Sequence, residues 1–126
     1  TSAAKSTDES SSGRRHEVFK SNCIKFVVAG EQDTWKSIAD AFEMSESKLR
    51  KYNDVGEDAI LQKGSVVYLK KKKSRAFWGY TAHVVREGET MYSIAQNYGI
   101  RLIALYKMNK MPFTAGAQVG QIIKLR

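Results

Sequence analysis

The sequence predicts an α+β protein made of two small strand–helix–helix–strand units, each a two-stranded antiparallel sheet with two helices packed on one face. Three observations predict it. Adding fifty-six to the positions of Thr34, Ser37, Ile38, Ala39, Leu49, Asn53, Gly64 and Leu69 lands on Thr90, Ser93, Ile94, Ala95, Leu105, Asn109, Gly120 and Leu125, a gapless internal repeat. Within each copy the apolar spacing passes from period two to a helical period and back. The single cysteine, Cys23, with no zinc or CxxC spacing, leaves each small unit to be held by an apolar core alone.

Taken in order, residues 1–15 are rich in serine, threonine and charge, so they bury too little surface to offset ordering entropy. Residues 1–23 are therefore expected to form a flexible tether. From Ile24, apolar residues alternate at Ile24, Phe26 and Val28, with Tyr80, Ala82 and Val84 in the same phase of the second copy. This predicts a strand with that set buried, and with Val27 and His83 facing outward. Trp35, Ile38, Ala39 and Phe42, and likewise Met91, Ile94, Ala95 and Tyr98, recur at i, i+3, i+4 and i+7, the stripe of a first helix capped by Thr34 or Thr90. Gly99 suits the left-handed position that ends this helix, whereas the first copy places Glu43 there. A second helix carries Leu49 and Tyr52, or Leu105 and Met108; Ser45 supplies a cap in the first copy alone. Gly64 and Gly120 then turn the chain into the closing strands, Val66–Lys70 and Ile122–Arg126. The units are thus 24–69 and 80–126, joined by a basic and aromatic connector, 70–79, whose Phe77 and Trp78 are expected to pack against a unit.

The net charge of +8 is uneven. The first unit carries six Lys/Arg against eight Asp/Glu and the second six against two, while the connector has five basic residues and no acid. A nucleic-acid module interleaves stacking aromatics with basic residues on a folded face, and that pattern is missing. The run Lys70–Lys73 is expected to be a solvated strand end, with loose attraction to anionic wall polymers or lipid head groups as its alternative. No stretch approaches the apolar length of a membrane span, and no signal peptide is present. Beginning at Thr1, the chain is expected to be a piece of a longer protein. His16, His83 and Cys23 lack the partners that would position a base and an oxyanion site, and the pairs Glu31/Asp33 and Glu87/Glu89 are expected in open loops. Catalysis, a cofactor and a metal are not expected.

The second copy, YTAHVVREGETMYSIAQNYGIRLIALYKMNK closing in VGQIIKL, resembles the LysM family of carbohydrate-binding modules. The first, IKFVVAGEQDTWKSIADAFEMSESKLRKYND to KGSVVYL, keeps the pattern but has Gln32 where the second has Gly88 and Glu43 where it has Gly99. The resemblance implies a shallow groove between the loop after the first strand and the loop after the second helix, binding N-acetylglucosamine polymers such as peptidoglycan or chitin. In the first unit it implies Gly30, Glu31, Gln32, Asp33, Thr34 and Trp35, with Asn53, Asp54, Val55 and Ile60 opposite. In the second it implies Glu87, Gly88, Glu89, Thr90 and Met91, with Asn109, Lys110, Met111, Pro112 and Phe113 opposite.

Plainer roles compete. Core packing and sugar contact stand equally for Trp35 and Met91, which open the helical stripe. Asn53 and Asn109 end a helix, where capping the chain is the favoured role. Gly88 and Gly120 suit turns. Met111, Pro112 and Phe113 are better binding candidates, because neither helix nor strand demands an apolar loop. The segments HEVFKSNCIKFVVAGEQDTWKSIA and ILQKGSVVYLKKKKSRAF also resemble the C-terminal region of bacterial cell-wall glucosaminidases, those of Bacteroidetes in particular. A hydrolase domain is therefore expected upstream, and a cell-envelope location, periplasmic or extracellular. The expectation is a monomeric, non-catalytic anchor to peptidoglycan, with no nucleic acid and no membrane span. The alternative is a protein–protein interaction module on the same scaffold.

Overall fold

Residues 16–126 are described by the computed structural model; of the expected tether, 1–15 lie outside the described residues. The remainder of that segment is not a tether. Strand β1 (Phe19–Ser21) pairs antiparallel with β2 (Ile24–Val28), Phe19 opposite Phe26 and Ser21 opposite Ile24. The two-residue turn between them needs positive φ at both positions, and Asn22 and Cys23 adopt φ of 55° and 64°. Strand β2 pairs on its other edge with β3 (Val66–Tyr68), so the first sheet has three strands in the order β1-β2-β3. Between β2 and β3 run α1 (Trp35–Ala41) and α2 (Glu46–Tyr52).

The second unit repeats the plan without the extra strand. Strand β4 (Ala82–Val84) pairs antiparallel with β5 (Ile122–Lys124), and α3 (Met91–Tyr98) and α4 (Leu102–Met108) lie between them in sequence. The cores superimpose along the repeat. Ala29, Trp35, Ile38, Ala39, Leu49, Val67 and Leu69 are buried in the first, and Val85, Met91, Ile94, Ala95, Leu105, Ile123 and Leu125 in the second.

The phase of the opening strands is the reverse of that expected. Val27 is fully buried against the helices and His83 is half-buried, whereas Val28, Val84 and Tyr80 are exposed. Ile24 is buried as expected, but for another reason. It lies on the opposite sheet face, where a Cβ on Gly99 of the second unit would come within 3.3 Å of its Cδ1. Phe26, on that same face, packs between Phe19 and Tyr68. The first sheet is thus covered on both sides, which erases the alternation that normally reveals the core face.

That second covering is the junction between units. Gly99 combines φ of 68° with an approach of Asn22 Cβ to 3.0 Å of where its own Cβ would stand, so both backbone and neighbour call for glycine. Tyr68 donates its hydroxyl to the Gln96 carbonyl at 2.5 Å, and the Gln96 amide donates to Asn53 Oδ1 and the Val66 carbonyl. Lys72, expected to be solvated with its neighbours, is 2% exposed. Its ammonium pairs with Asp54 Oδ2 and donates to Gln96 Oε1, each at 2.6 Å. Burial lowers the Lys72 pKa, and the Asp54 carboxylate opposes that shift.

Candidate binding loops

The loop after β2 and the loop after β4 are closed in the same way. Asp33 accepts the Gly30 amide at 2.7 Å, and its repeat equivalent Glu89 accepts the Arg86 amide at 2.7 Å. Each carboxylate also meets a histidine, His16 Nε2 at 3.1 Å from Asp33 and His83 Nε2 at 2.8 Å from Glu89. Asp33 is therefore buried rather than in an open loop. Hydrogen bonds from His83 and from the Arg86 amide hold the Glu89 carboxyl below its ordinary range. Each histidine ring lies against the aromatic that ends the first helix, Phe42 at 5.8 Å and Tyr98 at 5.5 Å between centroids.

The two histidines arrive by different routes. His83 stands in β4, at the repeat position held by Val27, whereas His16 comes from ahead of β1. The loops then enter α1 and α3 through capping boxes, Thr34 with Ser37 and Thr90 with Ser93. These histidines are what sequence reasoning missed. The signal for His83 lay in its alignment with an apolar strand residue; nothing local pointed to His16.

The opposite loop begins at an asparagine clamp. Asn53 donates to the Leu49 and Tyr68 carbonyls and accepts the Tyr68 amide; Asn109 makes the same three bonds with Leu105 and Lys124. Both residues therefore tie the second helix to the closing strand. The loop's far end is tied from that helix by different chemistry. Arg50 donates to the carbonyls of Gly56 and Ala59, while Tyr106 donates its hydroxyl to that of Ala115, the equivalent of Ala59. The two loops of each unit meet at the sheet end, where Gly64 and Gly120 donate to the Ala29 and Val85 carbonyls at 2.8 and 2.9 Å.

The implied binding residues consequently divide. Trp35 and Met91 are buried in the cores, Asn53 and Asn109 clamp, Asp33 and Glu89 close loops, and Thr34 and Thr90 cap. Asp54 serves the junction: besides pairing with Lys72 it accepts the Leu102 amide at 2.9 Å, capping α4, which has no side-chain cap of its own. The surface that remains is formed by Glu31, Gln32 and Ile60 with half-buried Val55 in the first unit, and by Glu87, Gly88, Lys110, Pro112 and Phe113 with half-buried Met111 in the second. Phe113 is 57% exposed and meets Tyr106 edge to face. The indole N–H of Trp35 is buried with no hydrogen-bond partner among the described residues. Phe77 and Trp78, expected to pack against a unit, are 46% and 78% exposed; Ala76 is the buried residue of that stretch. Among the described residues there is no group of three His, Cys, Asp or Glu side chains able to hold a metal, and no helix long and apolar enough to cross a membrane.

Fold and loops define a tandem of small two-layer modules presenting shallow loop surfaces. The model of the LysM domain matches residues 28–70 and 83–126, and the chain belongs to the LysM family. This is a family of glycan-binding domains of cell-wall-associated proteins, non-catalytic in themselves. Among solved structures, the chain is similar to the spore cortex-lytic enzyme SleL of Bacillus cereus, at 22% identity and a TM-score of 0.35, over 82% of this chain and 22% of that one. It is similar also to SleL of Bacillus megaterium QM B1551, at 20% identity and a TM-score of 0.34, over 79% of this chain and 22% of that one. The chain thus spans less than a quarter of the length of these structures. No curated protein matches it.

Proposed function

We propose that this chain anchors an attached cell-wall hydrolase, such as an endo-β-N-acetylglucosaminidase, to N-acetylglucosamine-containing glycan of peptidoglycan. The observation that carries the reading is the tandem family match, with two loop surfaces built on one repeated frame. A shallow site desolvates little area and binds modestly, and linking two sites on a polymer multiplies affinity through effective concentration. The junction supports this, because it fixes one unit against the other and so sets the spacing of the two surfaces. In the second unit, Met111, Pro112 and Phe113 offer apolar contact for the acetamido methyl, and loop amides offer hydrogen bonds. In the first, exposed Ile60 and half-buried Val55 offer the corresponding apolar contact. The hydrolase context is supported by the sequence resemblance of the first unit and connector to glucosaminidase C-terminal regions.

Titration with N-acetylglucosamine oligomers, followed by amide shifts, tests the reading. Shifts are expected across Glu87–Met91 and Asn109–Phe113, and Phe113→Ala is expected to weaken binding about tenfold, or about 1.4 kcal/mol. Unmoved amides in both segments at millimolar oligomer would remove the second groove and leave the protein-interaction alternative.

A further inference from the structure

The connector carries a feature that neither groove uses. A cleft of about 550 Å³ opens at the junction, its lining including Asn22, Lys73, Arg75, Phe77, Trp78 and Arg126. Three of these are cations; among the described residues no acidic side chain lines the cleft and none of the three forms an ion pair. Trp78 is 78% exposed, and the Arg126 guanidinium lies 5.7 Å from its ring centroid.

This arrangement is held by both units. Asn22, in the β1–β2 turn, donates to the Arg75 carbonyl at 2.8 Å. Ala76 donates its amide to the Leu125 carbonyl at 2.8 Å and accepts Arg126 Nε at 3.1 Å. Tyr80 closes the turn by donating to the Phe77 carbonyl at 3.0 Å, with Gly79 at φ of 101°. The ring and the cations are thus placed before any ligand arrives, which lowers the entropy cost of binding.

We infer that this cleft binds a glycan segment bearing a free carboxylate, with the Trp78 ring stacking on a pyranose while Arg75, Lys73 and Arg126 receive the carboxylate. The electron-rich face of an indole suits the C–H face of a sugar ring. Guanidinium groups suit a carboxylate, and uncompensated positive charge raises the local concentration of an anion. A protein partner would need far more apolar area than Phe77 and Trp78 supply. A nucleic-acid strand would need stacking rings in series along the basic groove, and this cleft has one broadly exposed indole. The site is separate from the two grooves, so one acidic glycan strand could be held at its neutral acetamido sugars by a groove and at its carboxylate by the connector.

The chain's two tryptophans make the test direct, because Trp35 is 4% exposed and Trp78 is 78% exposed. The indole N–H signals are followed while adding a disaccharide-peptide wall fragment with free carboxylates, the same fragment with its carboxylates amidated, chitotetraose, and an eight-residue oligothymidylate. The acidic fragment is expected to move the Trp78 indole and to bind about tenfold more tightly there than the amidated form. The double variant Arg75→Gln/Arg126→Gln should abolish that difference at the indole, and Trp78→Ala should abolish the difference read from the rate of Cys23 alkylation, each leaving groove shifts at Glu87–Met91 intact. The acidic fragment is also expected to slow alkylation of Cys23, which lines the same cleft. Equal response to acidic and amidated fragments, no movement of the Trp78 indole, or tighter binding of the oligothymidylate would each overturn the proposal. None of these results depends on whether the groove amides shift, so the connector and the grooves fail separately.

Discussion

The two units share a frame yet differ in what holds that frame together. The second is self-contained at its loop: His83, Glu89 and Tyr98 all lie within its own strand, loop and helix. Its phenol has a raised pKa, through burial first and the Glu89 charge second. The first unit obtains the same histidine–acid–aromatic contact with a residue, His16, that precedes its repeat altogether. The same inequality appears at the junction. Asp40 on α1 is solvent-exposed, whereas its equivalent Gln96 on α3 is buried and bonded to Asn53, Val66 and Lys72. Duplication preserved the core positions, and the contacts that make one body of two copies arose where the copies no longer match.

The most severe way to test that inequality is at Asp54, whose repeat equivalent Lys110 is exposed. Asp54→Ala strands the Lys72 ammonium with Gln96 as its remaining bonded partner and is expected to cost about 3 to 4 kcal/mol at neutral pH. Lys110→Ala should cost less than about 0.5 kcal/mol. The pH dependence has a definite sign. Burial lowers the Lys72 pKa, so the ammonium neutralises below its ordinary range, and the Asp54→Ala penalty should shrink as pH rises through that lowered value. Urea denaturation at pH 7 and pH 10 checks both points; equal costs for the two variants would mean that the junction contributes nothing.

Next in size are the asparagine clamps, where identical bonds sit in unequal surroundings. Asn53 is fully buried and also accepts from Gln96, whereas Asn109 is half-buried. Replacing Asn53 by alanine leaves the Tyr68 amide and the Gln96 amide short of an acceptor, for an expected loss of about 3 kcal/mol. Asn109→Ala should lose about 1.5 kcal/mol, because water reaches the Lys124 amide. Denaturation midpoints in the reverse order would show that the second clamp, rather than the junction, carries the stability.

A smaller effect separates the imported histidine from the resident one. His16→Ala is expected to cost about 1 kcal/mol, with amide shifts confined to Gly30–Thr34 and Glu89 undisturbed. Shifts that spread to Arg86–Thr90 would show that the two loops communicate.

Much of this was legible in the sequence because it was written twice. The cores, caps and asparagines recur fifty-six residues apart, so pattern and position reinforced each other. What escaped occurs once. The hairpin turn is Asn22–Cys23 rather than an asparagine–glycine pair, and the hairpin it creates has its two phenylalanines, Phe19 on β1 and Phe26 on β2, on the face away from the helices. Lys72 looked like its three lysine neighbours because its acid, Asp54, lies on the far side of the first unit's closing strand in sequence. The loop residues suffered a related confusion. Asp33, Asn53 and Asp54 are polar residues in loops or at helix ends, and sequence alone gives such residues the same appearance whether they face a ligand or a neighbouring backbone.

The finest distinction between the copies lies at Tyr92, whose counterpart Lys36 is exposed with its charge on Asp40. Burial first, and the Asp54 charge second, push the Tyr92 phenol up to about 12 from an ordinary 10.0. A pKa raised on folding contributes stability that is fully present below the unfolded value and is lost as pH rises through the folded one. Tyr92→Phe should therefore change stability by less than about 0.5 kcal/mol at pH 7. Between pH 10 and 12 it should flatten the fall in stability, where the wild-type phenol must ionise against its buried surroundings. Because Asp54 contributes to the shift, the wild-type phenol should titrate closer to 10.0 in the Asp54→Ala protein, read by absorbance of the tyrosinate. A Tyr92 titration that ignores Asp54 would mean the carboxylate is screened from the second unit, and with it the ion pair to Lys72 that joins the two copies.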